Sequence, residues 1–399
     1  MVKDSKCVTA RRGEALRTYP AVQRRIRRVL LVITGLDYGG AETQVRDVAL
    51  AFKARGLSVG VVSMLLPVAY QDDLTSAGIH LWSLDMKRKW PDPRMVWRLA
   101  SIVRQFNPDV VHSHEIHASL LARVSRAVGW WKIPLVCTAH SINEGGRLRM
   151  CAYRVTDRWA SITTNVSQAA VDRYVAVGAA PAGHITYVPN GVDMSRFCPD
   201  EERRTAVRHS LGLAADECVI LAVARFEEAK NHAGILRTFA RVLETHPSAT
   251  LLLVGQGMLF NATRTLATTL HVADSVRFLG IRNDIPDLMR ASDLYLMSSL
   301  WEGLPMVLLE AAASGLPAVA TDVGGNPTAV LDGISGRIVS PNDDEALVAA
   351  VVEVLNMSSA ARRSWGHAGR ELVQSSFSLE SVADRWLGLY KRLVESNTP

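Results

Sequence analysis

From Arg28 onward, short apolar runs alternate with stretches whose apolar residues recur at helical spacing. The runs Val29–Ile33, Ser58–Met64, Ile79–Ser83, Val110–His112, Leu135–Thr138 and Ser161–Thr164 predict strands. Helical patterns separate them over Ala41–Lys53, Arg94–Gln105, Ala118–Val128 and Ala169–Ala176. The alternation then restarts with Cys218–Ala224, Ala249–Val254, Val276–Leu279, Leu294–Met297 and Pro317–Thr321, again with helices between. Repeated strand–helix alternation builds right-handed crossovers on a parallel sheet, and ligands of such sheets sit at the strand C-termini. Two series therefore predict an α/β protein of two Rossmann-like, doubly wound domains. The turn-rich Pro189-Asn-Gly-Val-Asp193 marks the join, giving domains of 28–190 and 191–378, with a last helical pattern from Leu379 to Leu393.

The densest candidate chemistry lies in Ser298-Ser-Leu-Trp-Glu-Gly-Leu-Pro-Met-Val-Leu-Leu-Glu310. After the strand ending at Met297, Gly303 permits a sharp turn, and Pro305 suits the first position of a helix running from Met306 to Ser314. The free N–H groups and positive dipole end of a helix start are a seat for phosphate. Glu302 falls beside that seat, and Glu310 falls about one and a half turns along the helix. Alone, such a pair reads as solvated surface charge. Here Glu310 stands among Val307, Leu308, Leu309, Ala311, Ala312 and Ala313, where an idle carboxylate is costly.

Arg225 and Lys230 follow the first strand of the second half, and cations at a strand C-terminus suit a leaving group that gains negative charge. Gly39 and Gly40 lie between the first strand and first helix, where backbone amides can approach phosphate or sugar. Neither this loop nor Val254-Gly-Gln-Gly257 has the three-glycine dinucleotide fingerprint, which argues against a nicotinamide or flavin dehydrogenase. His140 ends a predicted strand. His112, His114 and His117 invite a metal reading, but without visible partners the cluster reads as cleft lining.

The Glu302–Glu310 segment resembles the Glu-x7-Glu motif of retaining glycosyltransferases of family 4, the group 1 glycosyltransferases with the GT-B fold. Val223-Ala-Arg225-Phe-Glu-Glu-Ala-Lys230-Asn231 is similar to that family's Gly-Arg-x4-Lys-Asn segment, with Ala224 in place of its glycine. Gly39-Gly40-Ala-Glu42, Asn190-Gly-Val-Asp193 and Asp322-Val-Gly-Gly325 extend the resemblance over residues 28 to 395. It implies two domains facing across a cleft, with the helix over 379–395 packing back on the first.

It also implies roles. Glu310 holds the ribose, Glu302 and His140 face the donor sugar, and Arg225 and Lys230 meet the diphosphate. Gly303, Leu304, Pro305 and Met306 offer amides to the phosphates, Gly39 and Gly40 face the donor, and Gly280 and Ile281 seat the base beside Arg282 and Asp284. Catalysis falls to Glu302, His140, Arg225 and Lys230, while His114, Asn143 and Glu144 lie on the acceptor side. No metal or cofactor is expected, because the nucleotide sugar is itself a substrate. The implied partners are a nucleoside diphosphate sugar, UDP-linked by preference, and a glycan or polyprenyl diphosphate-linked acceptor of surface-polysaccharide assembly. A sugar-nucleotide epimerase or hydrolase on the same scaffold is the competing class, and a non-catalytic sugar-nucleotide-binding subunit is a third.

At 399 residues, with 48% hydrophobic and 21% charged, the composition is globular, and no apolar run reaches the roughly 18 residues of a membrane span. The five cysteines share no metal-type spacing and fit a reduced, cytoplasmic compartment. The net charge of +6 is concentrated in a leader: residues 1–28 hold nine basic and two acidic side chains, leaving the body nearly neutral. Residues 1–27 read as disordered. They serve either as an inert tail or as a contact with the anionic inner membrane face, worth about 1 kcal/mol per basic residue. Lys87-Arg-Lys-Trp90 through Trp97-Arg98 interleaves basic and aromatic residues, and it reads equally as a membrane-interface patch or as a loop and helix start with Trp97 packed inward. Nucleic acid is not an expected partner, since no binding module accompanies the basic residues.

Overall fold

The computed structural model describes residues 25–87, 92–129, 131–141 and 146–396. Two parallel sheets form the frame. The first contains β1 (Arg28–Ile33), β2 (Ser58–Ser63), β3 (His80–Ser83), β4 (Val110–His114), β5 (Leu135–Ala139), β6 (Ile162–Asn165) and β7 (Ile185–Tyr187), in the order β3-β2-β1-β4-β5-β6-β7. The second contains β8 (Val219–Val223), β9 (Thr250–Val254), β10 (Val276–Gly280), β11 (Leu294–Met297), β12 (Ala318–Thr321) and β13 (Gly336–Val339), in the order β10-β9-β8-β11-β12-β13. Each sheet reverses direction beside its first strand, which opens a crevice at the strand C-termini.

Strands covered on both faces must be apolar throughout, and β1 shows why. Leu30 and Val32 pack with Leu99 and Val103 on one side, whereas Val29, Leu31 and Ile33 pack with Val45, Phe52 and Trp386 on the other. In the second sheet, Ile220 and Ala222 face Phe239, while Val219 and Leu221 face Leu308 and Leu309. The short edge strands β7 and β13 carried too little apolar pattern to be predicted, and they close the sheets by pairing alone with β6 and β12.

The last helix, Leu379–Ser396, lies on the first sheet, burying Trp386 and Tyr390 beside the helix Gly40–Ala54. The chain thus passes between the halves twice, at Val192 and near Ser378. The two passes are joined by backbone hydrogen bonds from Val192 to Phe377 and from Leu379 to Val192, both 2.8 Å.

One local expectation changes. The helix after β11 begins at Met306, and Pro305 caps it with extended ψ of 119° instead of forming its first residue. The prolyl ring's fixed φ is compatible with both positions, so sequence did not separate them.

Candidate active site

The crevices of the two sheets meet in one open cleft of about 1350 Å³. Gly39, Gly40 and His140 line it from the first half, and Arg225, Lys230, Ile281, Glu302, Gly303, Leu304, Pro305, Met306 and Glu310 line it from the second. Gly280 stands just behind at the end of β10, its carbonyl accepting the N–H of Gly255. Asn143 and Glu144 lie outside the described residues.

Glu302 is held by two donors: Ser299 Oγ at 2.6 Å and Lys230 Nζ at 2.5 Å. Its side chain is nearly buried at 9% exposure, so the ion pair is less screened than a surface pair. The loop carrying Lys230 is tied to the end of β11, because Ser298 Oγ donates to the carbonyls of Lys230 and Asn231. From the other side, Gly324 adopts a φ of +57° and packs so close that a Cβ there would stand 2.2 Å from the Glu302 carbonyl oxygen. Gly325 donates its N–H to Gly303 at 2.6 Å. The Asp322–Gly325 motif therefore buttresses the glutamate loop through backbone contacts that only glycine permits. Gly303 in turn approaches the opposite half, where its Cβ would meet the His140 carbonyl oxygen at 3.0 Å.

Glu310 projects from the helix Met306–Ala313 into the cleft wall. Burial pushes its carboxyl up to about 7, with the nearby Arg196 opposing that rise. Tyr295 lies buried behind, donating to the Val223 carbonyl. Arg225 is the exposed cation of the site at 73%, 3.3 Å from Glu227, so it is available to a ligand. Ala224 keeps an ordinary negative φ, which explains why alanine serves where the family has glycine.

Burial holds the His140 imidazole neutral, its pKa lowered to about 4. His112 and His114 differ from the expected cleft lining. Both are buried beneath His140, because β4 extends through His114 and turns these side chains into the packed face under the last helix. His114, expected on the acceptor side, reaches His140 Nε2 through its Nδ1 at 3.1 Å and does not line the cleft. His117 is exposed, and among the described residues no group of three or more His, Cys, Asp or Glu is arranged to hold a metal. Trp97 is 55% exposed instead of packed inward.

Sequence reasoning missed much of the first half's wall: Tyr38, Thr43, Arg46 and Tyr70, together with Arg196 beyond the join. Tyr70 stacks edge-on with Tyr38, and its hydroxyl lies 2.9 Å from Thr43 Oγ1. Tyr38 adjoins the glycine loop and was within reach of a motif reading, whereas Tyr70 comes from a loop with no motif.

Residues 203–372 match the family described as glycosyl transferases group 1, and residues 38–196 match glycosyltransferase family 4. The D-inositol 3-phosphate glycosyltransferase of Geodermatophilus obscurus is 32% identical over 404 residues, covering 90% of this chain and 86% of that protein. The UDP-Gal:alpha-D-GlcNAc-diphosphoundecaprenol alpha-1,3-galactosyltransferase of Escherichia coli is 25% identical, covering 76% and 80%. In fold, Anabaena Alr3699/HepE, solved in complex with UDP and glucose, superposes with a TM-score of 0.80 at 20% identity, over 91% of this chain and 99% of that one. With two parallel sheets facing across one cleft and both halves matched, the chain belongs to the group 1 glycosyltransferases of family 4, retaining hexosyltransferases that draw on nucleotide sugars.

Proposed function

We propose that this enzyme transfers a hexose or N-acetylhexosamine from a UDP-sugar to a hydroxyl of a glycan, with a polyprenyl diphosphate-linked glycan of exopolysaccharide, lipopolysaccharide or capsule assembly as acceptor. The observation that carries the reading is the Glu302–Glu310 pair on one loop and helix start, with Lys230 and Arg225 beside it in the cleft. The Escherichia coli relative acts on a diphosphoundecaprenol-linked sugar, and HepE binds UDP, which favours this donor and acceptor over others.

In this reading Glu310 accepts hydrogen bonds from the ribose hydroxyls as a carboxylate. Lys230 and Arg225 draw the diphosphate, and the amides at the start of the helix Met306–Ala313 add to the field that stabilises negative charge on the departing oxygen. Glu302, already engaged by Lys230 and Ser299, balances positive charge developing on the sugar and orients Lys230 toward the leaving group. The acceptor hydroxyl attacks from the leaving-group face, and the phosphate oxygen, its negative charge held by Lys230 and Arg225, takes its proton. Closure about the paired passes at Val192 and Ser378 excludes water. The basic leader and the exposed Trp97 helix supply a peripheral contact with the anionic membrane face that presents the acceptor.

The test is to incubate the protein with UDP-, GDP- and ADP-sugars, with and without lipid-linked and free glycan acceptors, and to determine the anomeric configuration of the product. Retention from a UDP-sugar to a glycan hydroxyl is expected. An epimerised sugar, or fast sugar release from donor alone, would instead place the protein in the competing class.

A further inference from the structure

His114 is 99% buried, does not itself line the cleft, and spends one nitrogen on His140, which does. Its ring is clamped. The His112 ring lies against it at 4.0 Å between centroids, and His112 is fixed at both nitrogens, by Tyr390 Oη and Thr138 Oγ1, each at 2.6 Å. Trp386 covers His112 from the last helix at 4.5 Å. A ring packed this way cannot turn to offer His140 a different atom.

The other nitrogen of His114, Nε2, is buried with no hydrogen-bond partner among the described residues. Burial keeps both His114 and His140 in the neutral form. Each neutral imidazole has one N–H and one lone pair, so one of the two facing nitrogens carries the shared proton. If His140 Nε2 carried it, His114 would have to bury its own N–H at Nε2 with no acceptor. If His114 Nδ1 carries it, only a lone pair is left without a partner. Orphaned buried N–H groups are rarer in folded proteins than under-used acceptors, which selects the second arrangement.

We propose that His114 is a positioning residue: its Nδ1–H donates to His140 Nε2 and thereby holds His140 in the tautomer protonated at Nδ1. The proposal rests on the reading that His140 faces the donor sugar. It refines that reading, because a His140 whose Nε2 lone pair is occupied serves as a hydrogen-bond donor and leaves the acceptor's proton to the leaving phosphate. It also gives the last helix a part in the site, since Tyr390 and Trp386 fix the stack on which His114 rests.

The experiment compares the full-length protein with His114→Asn, whose amide N–H can replace Nδ1–H, and His114→Leu, which keeps bulk but cannot donate. Long-range 15N–1H spectra of histidine-labelled protein, with the His140 signals assigned by His140→Gln, should show Nδ1 protonated in the wild type and a mixed tautomer in His114→Leu. The leucine variant should lose roughly 10–100-fold in kcat, the range known for residues that orient a functional histidine, with donor KM nearly unchanged. Asparagine should recover most of that loss. A wild-type His140 protonated at Nε2, or equal losses in both variants, would overturn the proposal. If His140→Gln itself retains full kcat, the donor-facing role of His140 is what fails, and the tautomer measurement still decides whether His114 sets the ring.

Discussion

Glu310→Gln should make the resting enzyme more stable and less able to hold its donor. The ordinary carboxyl value of 4.5 is pushed up to about 7 in the folded protein, chiefly by burial. A group with a raised folded pKa contributes stability that is fully present below 4.5 and is lost as pH rises through 7. At about 1.4 kcal/mol per pH unit the shift sets a ceiling of about 3.4 kcal/mol for the cost of the buried charge. One side of the carboxyl faces the open cleft, so water screens it and about 2 kcal/mol is the working figure. Glutamine has no charge to bury. At pH 8.5 its Tm should therefore exceed that of wild type by about 4–8 °C for a domain of this size, whereas at about pH 4, below both the unfolded and the folded values, the two should nearly coincide.

The nucleotide reverses the order. Hydrogen bonds from two ribose hydroxyls to a carboxylate are worth about 1.5–3 kcal/mol each, and the amide accepts them less strongly, so affinity should fall by at least tenfold. Thermal unfolding of both proteins at the two pH values, with and without UDP, reads both effects. A Tm difference independent of pH would refute the assignment of a buried, charge-penalised carboxyl. An unchanged UDP affinity would refute its contact with the ribose.

The same titration should appear in catalysis, where log kcat/KM for the donor should climb with pH and level off above about 7, the free-enzyme value of Glu310. A profile flat from pH 5.5 to 8.5 would contradict it. Lys230→Ala strips Glu302 of its cation and the diphosphate of one ligand, and it should cost roughly 10²–10³ in kcat; steady-state kinetics with saturating donor decides. Gly324→Ala forces a side chain into the Glu302 carbonyl at a φ of +57°, so it should lower Tm and kcat together, whereas Gly183→Ala, at an open glycine, should change neither. Arg123 is wholly buried and reaches Asp157, Thr163 and the Tyr153 carbonyl. Arg123→Ala should cost about 3–5 kcal/mol in denaturant unfolding, because it strands those partners without their cation.

The elements and the core of the candidate site were legible in the chain because their causes are local. Apolar runs of strand length set β1 to β6 and β8 to β12, and one loop and helix start place Glu302 and Glu310 with only seven residues between them. Lys230 and Arg225 were legible for the same reason, since each stands just beyond a strand whose pattern is plain. The resemblance to family 4 added the roles, which spacing alone left open.

Contacts made across long sequence separations were decided by tertiary structure. Tyr390 meets His112 from 278 residues away, and His114 meets His140 from 26. No periodicity records such contacts, because each depends on how two already formed surfaces pack. The buried stack, the Gly324 buttress and the tyrosines of the first half's wall belong to this class. So does the protonation of Glu310, whose identity is written in the sequence while its charge is set by the helices and strands that bury all but its cleft-facing side.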